Sequence, residues 1–246
     1  MKPFLILQLR PESAASDDEY AAMLDKGGLR AEQAFRIRLD QQPNLDGLSL
    51  DDFRGVIVGG GPGCVSDTFD QKSAAERKSE SAVMGLMPQI TASDFPFLGC
   101  CYGIGILAHH LGANVSKQRY GEPVGAVDCT LTSAGRKDPM LVGVADHFRA
   151  FVGHKEAVQQ LPRGCEHLVR SGPCPYQMIR FGENVYATQF HPEADGRSFE
   201  LRIQVYRDAG YFAPGDAEEL TAMCRAEDIR MPERVLLNFV ERYRRG

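Results

Sequence analysis

The chain has 246 residues, 43% hydrophobic and 25% charged, ordinary proportions for a globular protein and enough for one large α/β domain. Its formal net charge of −5 offers no basic footprint for nucleic acid, and no stretch approaches the roughly 20 apolar residues that span a bilayer. Seven cysteines, an odd number without C-x-x-C spacing, argue against a disulfide framework or structural metal and for free thiols in a reducing, cytoplasmic setting.

Phe4 to Leu9 is apolar between Pro3 and Pro11 and predicts a buried strand; no small-residue cleavage site follows it, so it is not read as a signal peptide. Ser16 to Leu29 predicts a helix, with Asp17, Asp18 and Glu19 in its positive first turn and Gly27-Gly28 at its end. Phe35 to Leu39 alternates as a more exposed strand. Gly55 to Val58 is a short apolar strand running into Gly59-Gly60-Gly61-Pro62-Gly63. A helix over Ser73 to Met87, a strand over Pro96 to Gly99 and a buried helix over Tyr102 to Leu111 follow. Strands alternating with helices predict a mostly parallel sheet with helices on both faces. Val124 to Thr132, Phe148 to Val152, His167 to Ser171, Gln177 to Phe181 and Val185 to Phe190 are strand-like, and predict a small antiparallel extension plus the last core strand. The tail is helical over Phe199 to Tyr211, Ala217 to Arg225 and Pro232 to Tyr243, and Arg242, Tyr243, Arg244 and Arg245 make a solvated basic end. No composition break marks a linker, so residues 1–246 read as one domain, with a core over 1–196 and a C-terminal helical extension over 197–246. The tail helices either cap the sheet or build a homodimer face; periodicity does not choose between them.

Gly99-Cys100-Cys101-Tyr102-Gly103 joins a short strand to a helix in the G-x-nucleophile-x-G form, with Cys101 at the centre. Small residues two before and two after let the chain turn sharply. The helix N-terminus would lower the thiol pKa by its dipole and offer free N–H groups to developing negative charge. Alone, the segment reads equally well as two buried cysteines on a turn, and Cys100 is expected to point into the core. Gly103-Ile104-Gly105-Ile106-Leu107-Ala108 also fits a dinucleotide fingerprint, but it follows at least two strands and no acid closes the next one. Gln189-Phe190-His191-Pro192-Glu193 ends the last apolar strand. Residues two apart in extended chain share a side, so Glu193 can orient the His191 imidazole as a base. The glycines at 59–63 lack the Gly-Lys-Ser/Thr of a phosphate loop; they form either a plain tight turn or an oxyanion loop in which Gly61 N–H partners Tyr102 N–H.

Gly60-Gly61-Pro62-Gly63, the 99–103 elbow and the 189–193 segment, in that order, resemble the class I glutamine amidotransferase family. The resemblance is strongest toward amidotransferase domains of the kind found in GMP synthases and stand-alone proteins similar to them. It implies a flavodoxin-like fold and hydrolysis of glutamine to glutamate and ammonia through a γ-glutamyl thioester on Cys101. His191 would act as base and Glu193 as orienter, without cofactor or metal. It further implies a glutamine pocket lined by Gly153, His154 and Lys155, in a stretch resembling the family's Ser-His-x-x-x-Val loop. The family carries Gln four residues after the nucleophile, where this chain has Gly105. That leaves substrate polar groups unpaired or frees room for a bulkier γ-glutamyl peptide or conjugate. No ATP-using synthetase domain fits in 246 residues, so biosynthetic ammonia would pass to a separate acceptor synthetase. From another class, a catalytically weak binding or regulatory module would keep the same residues. A redox protein with a cysteine on this elbow would not require His-Pro-Glu.

Overall fold

The computed structural model describes residues 2–208, 210 and 212–244. It opens with β1 (Phe4–Gln8), α1 (Ser13–Gly27), β2 (Ala34–Arg38), β3 (Val56–Val58), α2 (Ala74–Ala92), β4 (Phe97–Cys100) and α3 (Tyr102–His110). The middle is made of strands: β5 (Val115–Ser116), β6 (Glu122–Leu131), β7 (His147–His154), β8 (Ala157–Val158), β9 (Cys165–Ser171), β10 (Met178–Phe181) and β11 (Val185–Thr188). Three helices close the chain: α4 (Gly196–Val205), α5 (Ala217–Ala226) and α6 (Glu233–Tyr243).

Among the described residues the main sheet has nine strands in the order β2-β1-β3-β4-β11-β10-β9-β6-β7, and β5 pairs with β8 apart from it. The pairs from β2 across to β11 are parallel, and those from β11 to β7 are antiparallel. This is a flavodoxin-like α/β sheet whose antiparallel extension holds four strands. Period-two alternation splits the core into two layers. Phe4 and Ile6 of β1 join Met23 of α1 and Leu236, Phe239 and Val240 of α6 on one face. Leu5 and Leu7 meet Val83 and Met87 of α2 and Ile104 of α3 on the other. A third cluster packs Phe199 and Ile203 of α4 and Cys224 of α5 on Phe151 of β7.

Several boundaries differ from expectation. α1 begins at Ser13, not Ser16, because the chain turns helical directly after Pro11-Glu12; no acidic residue occupies its first turn. Glu19 lies in the second turn, faces inward and is fully buried. α2 starts on a reciprocal Ser73–Glu76 capping box and runs through Pro88 to Ala92, drawn on by the buried Ile90. α4 starts on the Asp195 side chain, which accepts the Ser198 N–H at 3.0 Å, and stops at Val205. Tyr211, the expected end of that helix, lies outside the described residues, as does Arg245 of the basic terminus. All seven cysteines are free, and no helix among the described residues is long and apolar enough to cross a membrane.

Candidate active site

In a parallel sheet the chain leaves every strand at the same edge, and ligands gather where those ends meet. Here β1, β3, β4 and β11 are consecutive neighbours, so Arg10, the 59–63 glycine turn, Cys101 and the 189–193 segment emerge side by side. β4 and β11 run in register with Cys100 opposite Thr188, and Cys101 N–H extends the ladder to Thr188 O at 2.7 Å. The next residue must turn abruptly into α3. Cys101 accordingly sits at φ 52°, ψ −89°, a conformation costing about 1–3 kcal/mol for a non-glycine residue. Gly99 permits that turn: a Cβ there would lie 2.9 Å from Gly103 Cα. Cys100 points into the core at 0% exposure, whereas Cys101 keeps 9%.

Cys101 and His191 line one cavity of about 40 Å³, together with Arg10, Gly61, Gly153 and Arg202. His191 Nδ1 donates to Glu193 Oε1 at 2.8 Å, which leaves Nε2 as the nitrogen available to a thiol. Arg202 of α4 donates through Nη2 to the same Glu193 oxygen at 2.9 Å, with Nη1 3.1 Å from His191 Nδ1. With Nδ1 carrying the proton toward Glu193, the Nη1 approach is a contact between two donors and not a bond, while Nδ1 and Nη2 share the one carboxylate oxygen. Phe199, one turn earlier on α4, meets the imidazole edge-on with centroids 5.4 Å apart. On the other side, Gln189 Nε2 lies 4.0 Å from Cys101 Sγ.

Burial dominates the electrostatics. It pushes the Cys101 thiol up to about 12, with Arg10 and Arg202 pulling down and Glu193 pushing up. Burial also lowers His191 below the ordinary imidazole value; Glu193 opposes this, and Arg202 and Arg10 add to it. Burial works against ionised Glu193 as well, yet His191 and Arg202 outweigh it and hold the carboxyl far below the ordinary range. These directions favour a neutral thiol beside a neutral imidazole, where the sequence led to the expectation of a lowered thiol; desolvation is the largest influence on the sulfur.

The glycine turn is held from behind by a buried set the sequence does not advertise. Glu19 Oε2 accepts Gly60 N–H at 3.1 Å and Arg10 Nε at 2.8 Å, while Glu19 Oε1 accepts Gln8 Nε2 at 3.1 Å. Gly61 packs on the Tyr102 ring, a Cβ there lying 3.0 Å from Cδ1, and Tyr102 Oη donates to Glu80 at 2.5 Å. Gly61 and Tyr102 both border a second cavity, about 20 Å³, that also touches Cys101, Gly153, His154, Lys155 and Glu156. Tyr102 opens α3, so its N–H has no preceding helical carbonyl to bond.

Two expected pocket residues take other roles. Both ring nitrogens of His154 are occupied, Nε2 by Glu122 Oε2 and Nδ1 by Glu156 O, each at 2.7 Å, so the ring locks the 153–156 turn and turns no nitrogen toward a ligand. Glu122, His154 and Cys174 bring ligand-type atoms within 4.8 Å of one another, but the Glu122 oxygens also accept Ser171 Oγ and Gln177 Nε2, as a hydrogen-bonded network does. Gly105 opens onto neither cavity. A Cβ there would meet Glu156 Oε1 at 3.1 Å and Val65 Cγ2 at 3.2 Å, so the space expected for a bulkier substrate is filled. The Glu156 carboxylate is fixed by Val65 N–H at 2.7 Å, Ser66 N–H at 2.8 Å and Ser66 Oγ at 2.6 Å. Arg10, Glu19 and Arg202 escape a reading of the sequence; each is an ordinary surface-type residue until the fold buries it.

Comparison with known proteins agrees with this geometry. A family model described as class-I glutamine amidotransferase matches residues 23–204. The glutamine-hydrolyzing GMP synthase of Thermosipho melanesiensis is 32% identical over 114 residues, 45% of this chain and 21% of that protein. One subunit of the glutamine-hydrolyzing GMP synthase of Haloquadratum walsbyi is 32% identical over 111 residues, 45% of this chain and 59% of the relative. The match thus spans less than two thirds of either relative. A glutamine amidotransferase of Thermotoga maritima shares the fold over 100% of both chains, with a TM-score of 0.77 at 20% identity.

Proposed function

From the premise that the chain belongs to the class I glutamine amidotransferase family, we propose that it hydrolyses the γ-carboxamide of glutamine to glutamate and ammonia with Cys101 as nucleophile. The observation that carries this is the shared cavity of Cys101 and His191, with His191 Nδ1 bonded to buried Glu193 so that Nε2 remains for the thiol. His191 takes the thiol proton as sulfur attacks the amide carbon. Backbone N–H groups of Gly61 and Tyr102 receive the oxyanion, each such donor contributing roughly 2.7–4 kcal/mol. His191 then returns the proton to nitrogen, the C–N bond breaks, and ammonia leaves a γ-glutamyl thioester. Water, deprotonated by His191, cleaves the thioester and regenerates the thiol.

Room for a leaving group favours glutamine over γ-glutamyl peptides. Glu156 with Val65 occupies the face of Gly105, the space a bulkier group would have needed. Neither cavity takes a whole glutamine in this closed form, so Lys155 and Phe212, which line them, must yield on entry. Because the Haloquadratum walsbyi relative is named as one subunit of its GMP synthase, a separate synthetase is the proposed acceptor of the ammonia. The test is ammonia release from glutamine and from γ-glutamyl dipeptides, by wild type and Cys101→Ala. Glutamine should be preferred and the variant inert; equal ammonia release by Cys101→Ala refutes the assignment.

A further inference from the structure

The helix α4 follows the 189–193 segment by a short turn, and its inner face carries Phe199 and Arg202, three residues apart and therefore stacked on the same side. Both reach the catalytic segment: Phe199 meets the His191 ring, and Arg202 meets Glu193 and stands beside His191 Nδ1. Arg202 is 6% exposed and Glu193 0%. A guanidinium buried to this degree is costly unless it is paired, and its pairing partner here is the carboxylate that orients the base.

The titratable and charged groups around His191 come from five elements. Arg10 follows β1 and is neutralised by Glu19 of α1; Cys101 stands on the elbow; Glu193 follows β11; Arg202 and Tyr206 come from α4 and its end. The two acids and two guanidiniums cancel. Glu193 favours a proton on His191; burial opposes it most, and Arg202 adds to that opposition from within hydrogen-bond reach of the same carboxylate. Arg202 also fixes the carboxylate oxygen toward which Nδ1 points.

We propose that Arg202 is a positioning residue for the glutaminase reaction, its guanidinium clamping Glu193 and setting a positive charge against that carboxylate beside the His191 base. This rests on the proposed hydrolysis, but one of its tests does not. In that test the ring Cε1 proton of His191 is followed by NMR against pH, assigned by its loss in His191→Gln. Arg202→Met should raise the His191 midpoint by about one pH unit, while Arg202→Lys, which keeps the charge, should leave it near wild type. In steady-state assays with glutamine, Arg202→Met should lower kcat about tenfold to a hundredfold with KM within about twofold, and move the acid limb of kcat/KM upward. Arg202→Lys should keep the limb but recover only part of kcat, since a point charge replaces a fork. Folding is checked by circular dichroism; if Arg202→Met does not fold, Arg202→Gln takes its place. A folded, uncharged variant with an unmoved His191 midpoint overturns the proposal, as does Arg202→Lys matching Arg202→Met. If wild type releases no ammonia, the proposed reaction fails while the titration still decides Arg202.

Discussion

Replacing Gly60 by alanine places a methyl carbon 2.7 Å from Arg10 Nη2 and 2.9 Å from His191 Cε1. Non-bonded heavy atoms settle near 3.5–4.0 Å, so roughly 1 Å of displacement is needed. Arg10 is not free to supply it: its Nε is tied to Glu19 at 2.8 Å and its Nη1 to Tyr206 at 3.3 Å, all buried. The imidazole pivots on one bond to Glu193 and yields more readily. A misplacement of about 1 Å in a reacting group costs on the order of 100-fold in rate. Overpacking should cost a further 1–3 kcal/mol or so of stability, a fall in Tm of a few degrees. The expected result of Gly60→Ala is therefore kcat for glutamine down about a hundredfold, KM little changed, and a folded protein by circular dichroism. A variant that loses stability yet keeps kcat within about twofold would show that the imidazole does not rest against Gly60, and the reasoning would fail.

With the thiol pushed to about 12 and His191 held below its ordinary value, alkylation of Cys101 by iodoacetamide should climb about tenfold per unit from pH 7 to 10 without a low-pH plateau; a plateau near neutrality would reveal a preformed ion pair. Depressed folded-state pKa values at His191 and Glu193 act in the same direction: the fold prefers the deprotonated form of each, the neutral imidazole and the ionised carboxylate. Both contributions are present above the ordinary values and are lost as pH falls. Urea midpoints should therefore fall as pH drops below about 6.5 and again below about 4.3, and His191→Gln should shrink the first decline, the remainder coming from His110 and His167, which burial also lowers. Gly105→Gln should destabilise by crowding Glu156 and Val65, and Glu156→Ala by stranding the Val65 and Ser66 N–H groups, by about 1–3 kcal/mol each. The double variant should lose less than the sum, and strict additivity in denaturation would mean the two side chains do not share that space.

Much of this site is readable from local pattern. Short apolar strands bounded by glycine place the 59–63 turn, Cys101 and His191 at strand ends, and a parallel sheet forces those ends to one edge. The pairing of His191 with Glu193 is anticipated by their spacing, but not for the expected reason: the strand ends at Thr188, and the two meet across a turn in which Ala194 N–H reaches His191 O at 3.4 Å, not along extended chain. What escapes is burial of charge. Glu19 looks like a solvated acid near a helix start, and only the packing of α1 against the sheet shows it turned toward Gly60. Arg202 lies on a tail helix whose sequence carries no mark of its partner, and Glu156 fills the space at Gly105 from 51 positions away. The thiol pKa is misjudged from sequence for the same reason. A helix N-terminus is visible there, whereas the desolvation that acts most on the sulfur is a property of the closed fold.

Three cysteines crowd this region, Cys64 and Cys101 on the second cavity and Cys100 behind the elbow. Incubation with a diazo-ketone analogue of glutamine, followed by peptide mass spectrometry, asks which sulfur meets the electrophile. The expected product carries one equivalent on Cys101, prevented by excess glutamine and greatly slowed in His191→Gln. Modification of Cys64 in its place, or labelling of Cys101 indifferent to both glutamine and His191, would contradict the assignment of Cys101 as the nucleophile.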